Sequence, residues 1–363
     1  MVFSVSENNL DDLMRAIFRQ LLNGRGNYRV ESKKGTITEV FGALLELRNP
    51  RARLSRSQSR ARLFSALGEF FWYLAGNQNI DFIEYYIPRY RKFSNDGKIA
   101  NGAYGPRIFG LDAEQRALGS SEWDRVIKTL KSRAGSRNAV VQIYSNEDAF
   151  EGNEDKPCTC TLQFAIRNNK LMLHTHMRSN DAFMGLPHDI FSFTLLQELA
   201  ARELEVGLGT YKHSVASLHL YDDKPEDEDG PAVLSKTEAK RFLNEGFHEH
   251  RPMPEMPLGN PWPSLEKLIA IEANCRAGIC EDVHEAGLEP YWGDFASLLE
   301  IHAIIEEVRR NEKSDPSTRR SLRRVASIVH SMSSPVYRLY VQDRLAKRET
   351  PVRDLFQHAE KEA

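Results

Sequence analysis

The stretch Thr161–Met177, TLQFAIRNNKLMLHTHM, decides the fold. It holds two runs rich in β-formers, 161–166 and 171–177, on either side of the polar cluster Arg167–Lys170. A polar cluster of this kind favours a tight turn, so the stretch predicts an antiparallel hairpin. A similar run, Ala139–Tyr144 (AVVQIY), comes shortly before it, and we expect all three as neighbouring strands of one sheet.

Helical patterns surround these strands in the sequence. Residues Ile190–Leu204 (IFSFTLLQELAAREL) are apolar nearly all round, which is typical of a helix packed deep in a large core. Apolar residues at helical spacing also occur over Leu10–Leu22 and Arg60–Leu74, and a short strand pattern occupies Leu218–Tyr221. The sequence therefore predicts an α+β protein whose sheet is covered by helices.

The last third of the chain has a different composition. An acidic stretch near Asp222–Gly230 and a proline-rich stretch near Arg251–Pro263 predict a linker over 226–263. Helical patterns then follow near Ser264–Asn274, Asp294–Asn311, Ser317–Met332 and Val336–Arg348. We expect a core domain over 1–225 and a helical C-terminal extension over 264–363.

Composition excludes several classes of protein. The 363 residues include 49 Lys+Arg and 51 Asp+Glu, a formal net charge of -2, so we do not expect nucleic acid as a partner. The sequence has neither a membrane-spanning run nor a signal peptide, which predicts a cytoplasmic protein without a membrane partner. The four cysteines are Cys158, Cys160, Cys275 and Cys280, too few for a disulfide framework and not at zinc-ligand spacing. We predict no metal.

Short motifs that carry chemistry occur in a fixed order between residues 68 and 221. They are Gly68–Ile80 with Glu69, Ala103–Gly105, Lys156–Thr159, Arg178–Asp181, Gly185–Asp189 and His219–Tyr221. A single cysteine before a strand is more often a small buried hydrophobe than a nucleophile. The set, however, closely resembles the thymidylate synthase family over roughly residues 10–225. The resemblance implies that family's mixed β-sheet with packed helices, and a homodimer with shared active sites that acts on a pyrimidine nucleoside monophosphate.

The resemblance also implies catalytic roles. Cys158 is the nucleophile that adds to carbon 6 of the pyrimidine and makes carbon 5 reactive. Arg178 lies where it lowers the pKa of the thiol. Glu69 is the general acid and base, with a pKa raised by burial, and Tyr104 is its companion hydroxyl. The alternative for Glu69 is a glutamate that simply faces solvent.

The nucleotide phosphate needs several convergent donors. By resemblance, Arg178 and Ser179 supply two of them, and Arg137 reaches across the dimer interface to supply a third. Lys33 and Lys34 stand where the family has an arginine, so they either bind phosphate as point charges or are two solvated lysines in a turn.

The sugar and the folate cofactor have their own implied contacts. His219 and Tyr221, two residues apart on a strand, point to the same face, and in the family this pair binds the sugar. The co-substrate is 5,10-methylenetetrahydrofolate, and the residues implied for it are Asp181, Gly185, Tyr90 and Phe93. The last two stand where the family has tryptophans.

The residue that reads the base differs from the synthases. Their Gly-Leu-Pro loop leads to an asparagine that matches uracil, whereas this chain has His188 and Asp189. An ionised carboxylate only accepts hydrogen bonds, so it suits the 4-amino group of cytosine and repels O4 of uracil. An aspartate here is also what distinguishes the (deoxy)cytidylate 5-hydroxymethylases. The alternative is that Asp189 caps the helix predicted from Ile190.

Two departures from the synthase pattern concern the second half of the reaction, after the one-carbon unit has been attached to carbon 5. Thr159 replaces the histidine that usually follows the nucleophile in synthases, and the charged tail 348–363 does not resemble their C-terminus. We therefore predict 5-hydroxymethylation of CMP or dCMP, with the choice between ribose and deoxyribose left open. The alternatives are a divergent thymidylate synthase that methylates dUMP and a catalytically inactive nucleotide- or RNA-binding relative.

Overall fold

The computed structural model of the chain describes residues 2–57, 62–111, 121–150, 155–225, 233–247, 251–280, 286–310 and 316–346. Contacts divide the chain into two compact units, residues 1–60 with 65–252 and residues 61–64 with 253–363. Across these described ranges, no helix is both long enough and apolar enough to span a bilayer.

A seven-stranded mixed sheet forms the centre of the first unit. Its strands are β1 (Phe3–Glu7), β2 (Tyr28–Ser32), β3 (Gly35–Leu47), β4 (Val140–Gln142), β5 (Thr159–Arg167), β6 (Lys170–Asp181) and β7 (Gly207–Tyr221). The order is β1-β3-β7-β6-β5-β4, with β2 paired to β3. The pairs β1/β3 and β6/β7 are parallel and the others antiparallel. The mixed sheet and the α+β class are confirmed.

The β5–β6 hairpin forms at the predicted turn. Arg167 pairs with Lys170, and the two residues between them, Asn168 and Asn169, have φ angles of 50° and 56°. Asparagine is one of the few residues that adopts this left-handed region readily, which explains why the Asn-Asn pair sets the register. The register in turn places the start of β5 beside the end of β6.

Helix α6 (Leu186–Glu203) lies against β6 and β7 and is buried on almost every side. Its buried Glu198 pairs with Arg53, and both side chains are fully inaccessible to solvent. Gln197 Nε2 donates to Leu171 O at 2.9 Å and so ties the helix to the sheet. The apolar pattern of the sequence thus predicted the helix, although it begins four residues before Ile190.

The other helices before residue 252 surround the sheet. They are α1 (Leu10–Asn23), α2 (Leu63–Leu74), α3 (Ile80–Tyr86), α4 (Tyr104–Phe109), α5 (Glu122–Ser132) and α7 (Ser235–Asn244), with short 3-10 turns at Tyr90–Phe93 and Asn146–Ala149. Helix α7 lies inside the segment 226–263 that we predicted as a linker. Its buried Phe242 meets the ring of Phe18 edge-on, with centroids 5.3 Å apart, so this part packs rather than connects.

The second unit is helical, as predicted. It contains α8 (Trp262–Arg276), α9 (Pro290–Arg310), α10 (Pro316–Ser331) and α11 (Pro335–Ala346). Helix α9 is its core, and the buried Glu300 on it accepts from Arg324 Nε at 2.6 Å. The acidic stretch 226–232 and the charged tail 347–363 lie outside the described residues.

Candidate active site

Cys158 and Arg178 meet where β5 begins and β6 ends. Arg178 N donates to Cys158 O at 2.9 Å, which aligns the two strands. The guanidinium then turns back, donating from Nε to Pro157 O at 2.9 Å and placing Nη2 3.9 Å from Cys158 Sγ. The predicted nucleophile and its cation are therefore neighbours, held by backbone contacts.

The charge balance at the Cys158 thiol differs from our expectation. Burial raises its pKa, and Asp189 adds to that effect, while Arg178 and Lys34 favour the thiolate without overcoming burial. A guanidinium alone thus does not lower the pKa of a thiol that is largely removed from water. The site holds Cys158 as a thiol near neutral pH.

Lys34 belongs to the same cluster. Burial lowers the pKa of Lys34, and its charged neighbours include Cys158 and Arg178. Its Nζ also lies 4.4 Å from the ring centroid of Phe93. Of the two lysines that the sequence left undecided, the structure brings Lys34 to the thiol.

Glu69 lies on α2 and is half-buried. Tyr73, one turn later, donates from its hydroxyl to Glu69 Oε1 at 2.9 Å. Burial raises the pKa of Glu69 to about 7, since it outweighs the hydrogen bond from Tyr73. A carboxyl with this pKa is suited to exchange protons at neutral pH, and the reading of Glu69 as a surface residue does not hold.

Tyr104 contacts a neighbour of Cys158 and a neighbour of Glu69. Its hydroxyl accepts from Thr159 N at 3.2 Å, next to Cys158, and its ring lies 5.3 Å from that of Tyr73. Burial raises its pKa well above the ordinary tyrosine value, and Asp189 and Cys158 raise it further. Sequence reasoning missed Tyr73, although its position one helical turn after Glu69 was a usable signal.

Asp189 is buried within the same cluster, with 7% of its surface exposed. Helix α6 begins at Leu186 with Gly185 as its N-cap residue, so Asp189 does not occupy the capping position we considered. Asn180 Nδ2 donates to Asp189 Oδ2 at 2.8 Å. Burial raises the pKa of Asp189 strongly, the nearby Glu69 raises it further, and the bond from Asn180 opposes both.

The predicted sugar contacts lie at the end of β7. The rings of His219 and Tyr221 meet edge-on with centroids 5.1 Å apart, and His219 Nδ1 lies 3.2 Å from Ser217 O. Burial raises the pKa of Tyr221, and Asp181 and Cys158 contribute to the rise, so this hydroxyl shares the site of the thiol. The half-buried Ser179 pairs with Ser217 in the sheet.

Asp181 and Gly185 have local structural roles that the resemblance did not require. Asp181 Oδ1 accepts from the backbone nitrogens of Phe183 at 2.8 Å and Met184 at 3.0 Å, which closes the turn into α6. A Cβ on Gly185 would lie 3.1 Å from Asn180 Nδ2 and 3.5 Å from Asp189 Oδ2. Glycine therefore leaves room for the Asn180–Asp189 pair.

Two aromatic residues form a wall beside the cluster. The rings of Tyr90 and Phe93 lie 5.5 Å apart, and 39% of Phe93 is exposed. The ammonium groups of Lys34 and Lys92 lie 4.4 Å and 5.0 Å from the Phe93 centroid. An aromatic surface edged by cations fits a flat heteroaromatic ring with a tail that carries carboxylates, as in a folate.

One predicted site residue lies outside this cluster. Arg137 is exposed, and its carbonyl oxygen accepts from Gln163 Nε2 at 3.2 Å. The structure of one chain therefore does not bring Arg137 to Cys158. Within the ranges that the structure describes, no three His, Cys, Asp or Glu side chains come together as a metal site would require.

Comparison with known proteins agrees with this geometry. Residues 12–241 match the family described as thymidylate synthase, which is more than half of the chain. The chain belongs to the thymidylate synthase family. A deoxyuridylate hydroxymethyltransferase of Delftia phage PhiW-14 is 29% identical over 253 residues, which cover 67% of this chain and 66% of that protein. Another, of Bacillus phage SP01, is 30% identical over 195 residues, covering 52% and 51%.

Enzymes of the thymidylate synthase family share one class of chemistry. They act on pyrimidine nucleoside monophosphates, use methylenetetrahydrofolate and include pyrimidine hydroxymethyltransferases. The chain spans half to two thirds of the length of the two hydroxymethyltransferases that it resembles.

Proposed function

We propose that the protein hydroxymethylates carbon 5 of a cytidylate, with methylenetetrahydrofolate as the carbon donor. The observation that carries this proposal is the position of Asp189. It is buried among Cys158, Glu69 and Tyr104, and it stands where uracil-reading synthases have asparagine. In its ionised form, Asp189 accepts from the 4-amino group of cytosine and repels O4 of uracil.

The reaction starts at Cys158. The thiol first gives up its proton to solvent, and the thiolate, which Arg178 favours, then forms a bond from Sγ to carbon 6 as the double bond between carbons 5 and 6 breaks. Carbon 5 thereby becomes nucleophilic. When bound, methylenetetrahydrofolate supplies a one-carbon unit at the oxidation level of formaldehyde. Water supplies the hydroxyl group of the product, the carbon–sulfur bond breaks at the end of the reaction, and Cys158 is regenerated.

Proton transfer falls to Glu69. With a pKa of about 7, it takes up a proton when carbon 5 loses its hydrogen and gives one up when a leaving group needs it. Tyr73 holds the carboxyl in place through its 2.9 Å hydrogen bond. Tyr104, held by Thr159 N next to the nucleophile, extends the polar surface from Glu69 toward the ring.

The substrate phosphate and sugar have separate contacts in this proposal. Arg178 and Lys34 offer positive charge beside the thiol, and Ser179 adds a hydroxyl from β6. His219 and Tyr221 face the sugar from the end of β7. The exposed Arg137 completes the phosphate site of a second copy of the chain.

The folate binds against Tyr90 and Phe93, and Asp181 and Gly185 lie on the turn beside them. Asp181 uses Oδ1 to hold that turn, so its Oδ2 is the atom suited to accept from the pterin. The role of this surface is to orient the carbon donor over carbon 5. The aromatic wall supports this assignment through shape and charge.

Hydroxymethylation rather than methylation is supported by Thr159. The side chain is fully buried and lies beside the hydroxyl of Tyr104. The synthases have a histidine here, so the polar environment next to the nucleophile is changed. Both relatives named above are hydroxymethyltransferases, which agrees with this choice.

The proposal includes a cytoplasmic homodimer. On the sheet, Phe41 is 68% and Leu44 38% exposed, and both belong to β3, the second strand from one edge. Large apolar residues exposed on a sheet face are typical of a surface covered by a partner. A second copy there would supply the phosphate site with its Arg137. We further propose that catalysis resides in residues 1–225 and that 264–363 is an extension.

Deoxyuridylate hydroxymethylation is the second candidate. The two relatives are named for that substrate. In addition, burial and Glu69 raise the pKa of Asp189, and a protonated aspartate donates to O4 of uracil as an asparagine amide does. The base therefore depends on which protonation state of Asp189 meets the nucleotide.

Mass spectrometry separates these possibilities. The protein is incubated with methylenetetrahydrofolate and CMP, dCMP, UMP or dUMP. A gain of CH2O on a cytidylate supports the proposal, and the same gain on a uridylate supports the second candidate. A gain of CH2 with formation of dihydrofolate indicates a synthase, and no product with any nucleotide indicates an inactive relative.

A further inference from the structure

A buried chain of hydrogen bonds runs from the sheet to Asp189. Tyr211 Oη lies 2.6 Å from His213 Nδ1, His213 Nε2 lies 3.1 Å from Asn180 Oδ1, and Asn180 Nδ2 lies 2.8 Å from Asp189 Oδ2. Thr175 Oγ1 lies 3.2 Å from the same tyrosine hydroxyl. The five side chains are between 0% and 7% exposed, so water does not substitute for these contacts.

The amide of Asn180 determines which groups donate and which accept in this chain of hydrogen bonds. Its Oδ1 only accepts, so His213 Nε2 must carry the hydrogen of the ring. Burial lowers the pKa of His213 to about 3, so the ring is neutral and Nδ1 accepts from the hydroxyl of Tyr211. Asn180 Nδ2 then donates, and Asp189 Oδ2 is fixed as an acceptor.

The fixed acceptor constrains the other oxygen of Asp189. Within the described part of the chain, Oδ1 has no hydrogen-bond partner, so any proton on Asp189 is held by Oδ1. The groups that face this carboxyl are Glu69 and Tyr73 of α2, Tyr90, Tyr104 of α4, Cys158 and Tyr211 of β7. Oδ1 is therefore the atom that presents either an acceptor or a donor to the base.

We infer that Asn180 and His213 are positioning residues that set the choice between cytosine and uracil by holding Asp189 Oδ2 as an acceptor. The inference rests on the proposed function. A bond donated to the carboxylate favours its ionised form, which accepts from the 4-amino group of cytosine. Loss of the donor favours the protonated form, whose Oδ1–H matches O4 of uracil.

Neither residue was singled out by the sequence. Asn180 belongs to the motif Arg178–Asp181, in which we assigned roles to the other three residues only. His213 lies in a part of β7 that we did not predict as a strand. In the parallel pair of β6 and β7, Thr175 lies opposite His213 and Asn180 opposite Leu218, and the side chains of Asn180 and His213 meet through their 3.1 Å hydrogen bond. Gly185 then leaves the space in which Asn180 reaches Asp189.

The test compares Asn180→Leu, of similar size but without the amide, with the unchanged protein. The readout is the ratio of kcat/KM for cytidylate to that for uridylate between pH 6 and 9. We expect the ratio to fall by about 10- to 100-fold, as loss of a hydrogen bond to a charged group implies, and the cytidylate activity to need higher pH. Because a misfolded fraction lowers both rates equally, it cancels in the ratio.

Two variants of His213, the next residue in the chain of hydrogen bonds, give an independent test. His213→Phe removes the donor to Asn180, whereas His213→Gln keeps an N–H that can reach it. The ratio should fall in His213→Phe and recover in His213→Gln. Equal losses for the two bases in all three variants, with an unchanged pH profile, would overturn the inference and leave a packing role only.

Nucleotide binding separates this inference from the proposed function. Titration calorimetry with CMP and UMP in the absence of folate measures base preference without turnover. If the protein makes no hydroxymethyl product but Asn180→Leu still shifts the ratio of the Kd values, the proposed function fails and the positioning role stands. If it makes the product and neither ratio shifts, the positioning role fails alone.

Discussion

Arg178 Nη2 lies 3.9 Å from Cys158 Sγ while Arg178 Nε is held by Pro157 O at 2.9 Å. The same side chain is thus fixed by the residue before the nucleophile and directed at its sulfur. Cys160 is also near this arginine, but it is less enclosed and follows Thr159 into β5. The geometry distinguishes two cysteines that are only two residues apart.

Substitution of the two cysteines should have opposite outcomes. Cys158→Ser removes the nucleophile and should lower kcat by at least about 10³-fold, since a serine hydroxyl is hardly ionised at neutral pH. Cys160→Ser serves as the matched control and should keep most of the activity. Turnover assays with both variants check this, and comparable losses would contradict the assignment.

Glu69 should make stability depend on pH in an unusual direction. Its pKa is about 7 in the folded protein against 4.5 ordinarily, so the folded state holds the proton more tightly. The associated stability is complete below pH 4.5 and is lost as pH rises through about 7, by about 3 kcal/mol at most. Denaturant unfolding of the protein and of Glu69→Gln between pH 4.5 and 8 measures this.

Glu69→Gln is the control for the unchanged protein in that experiment, because glutamine cannot ionise. The variant should lose less stability than the unchanged protein over the same pH range. It should also lose most activity, since it cannot carry a proton. Parallel pH curves for the two proteins would show that Glu69 has an ordinary pKa.

Asp189→Asn should move base preference toward uracil. The amide donates to O4 and accepts from N3–H, so cytidylate should lose about 2–4 kcal/mol of transition-state binding, roughly 30- to 1000-fold in kcat/KM. The gain for uridylate should be smaller, because His188 and its neighbours are unchanged. Rates with CMP, dCMP, UMP and dUMP decide this, and an unchanged ratio would refute base reading.

Arg137 should act in the site of the partner. Mixing inactive Arg137→Ala with inactive Cys158→Ala protein should restore up to about a quarter of the activity, because half of the dimers are mixed and each has one intact site. Subunit exchange is verified first by mass spectrometry of differently tagged chains. No recovery after proven exchange would exclude a shared site.

The buried pair of Arg53 and Glu198 should matter for stability. Both side chains are fully buried, so Arg53→Met leaves a carboxylate without its partner and should destabilise the protein by about 3–5 kcal/mol. Arg53→Met combined with Glu198→Leu should recover much of this loss. Denaturant unfolding compares the two, and a double variant no more stable than the single one would contradict a charge-based cost.

The sequence predicted the elements whose patterns are local. The Asn168–Asn169 turn and the apolar run of α6 each reveal their structure within a few residues. Strand β3 and the first half of β7 were missed, because partners distant in sequence determine their pairing. The Asn180–His213 contact depends on that pairing, so no pattern near either residue could have predicted it.

The pKa of the Cys158 thiol could not be predicted from local sequence either. Motif spacing placed Arg178 beside Cys158, but the pKa depends on how much protein encloses the sulfur, which is a property of the whole site. Glu69 was easier to predict, since an acid in the otherwise apolar run GEFFWYL has few ways to remain in water.

The parallel connection from β6 through α6 to β7 has an evolutionary consequence. Asn180, Asp189, His213 and Tyr221 all lie within residues 170–221, whereas Glu69 belongs to α2 and Cys158 precedes β5. In the proposed function, the side chains that distinguish the base thus belong to one stretch of chain, and the nucleophile and the proton carrier belong to others. We therefore expect point mutations within residues 170–221 to exchange one pyrimidine for the other across generations while the nucleophile and the proton carrier stay unchanged.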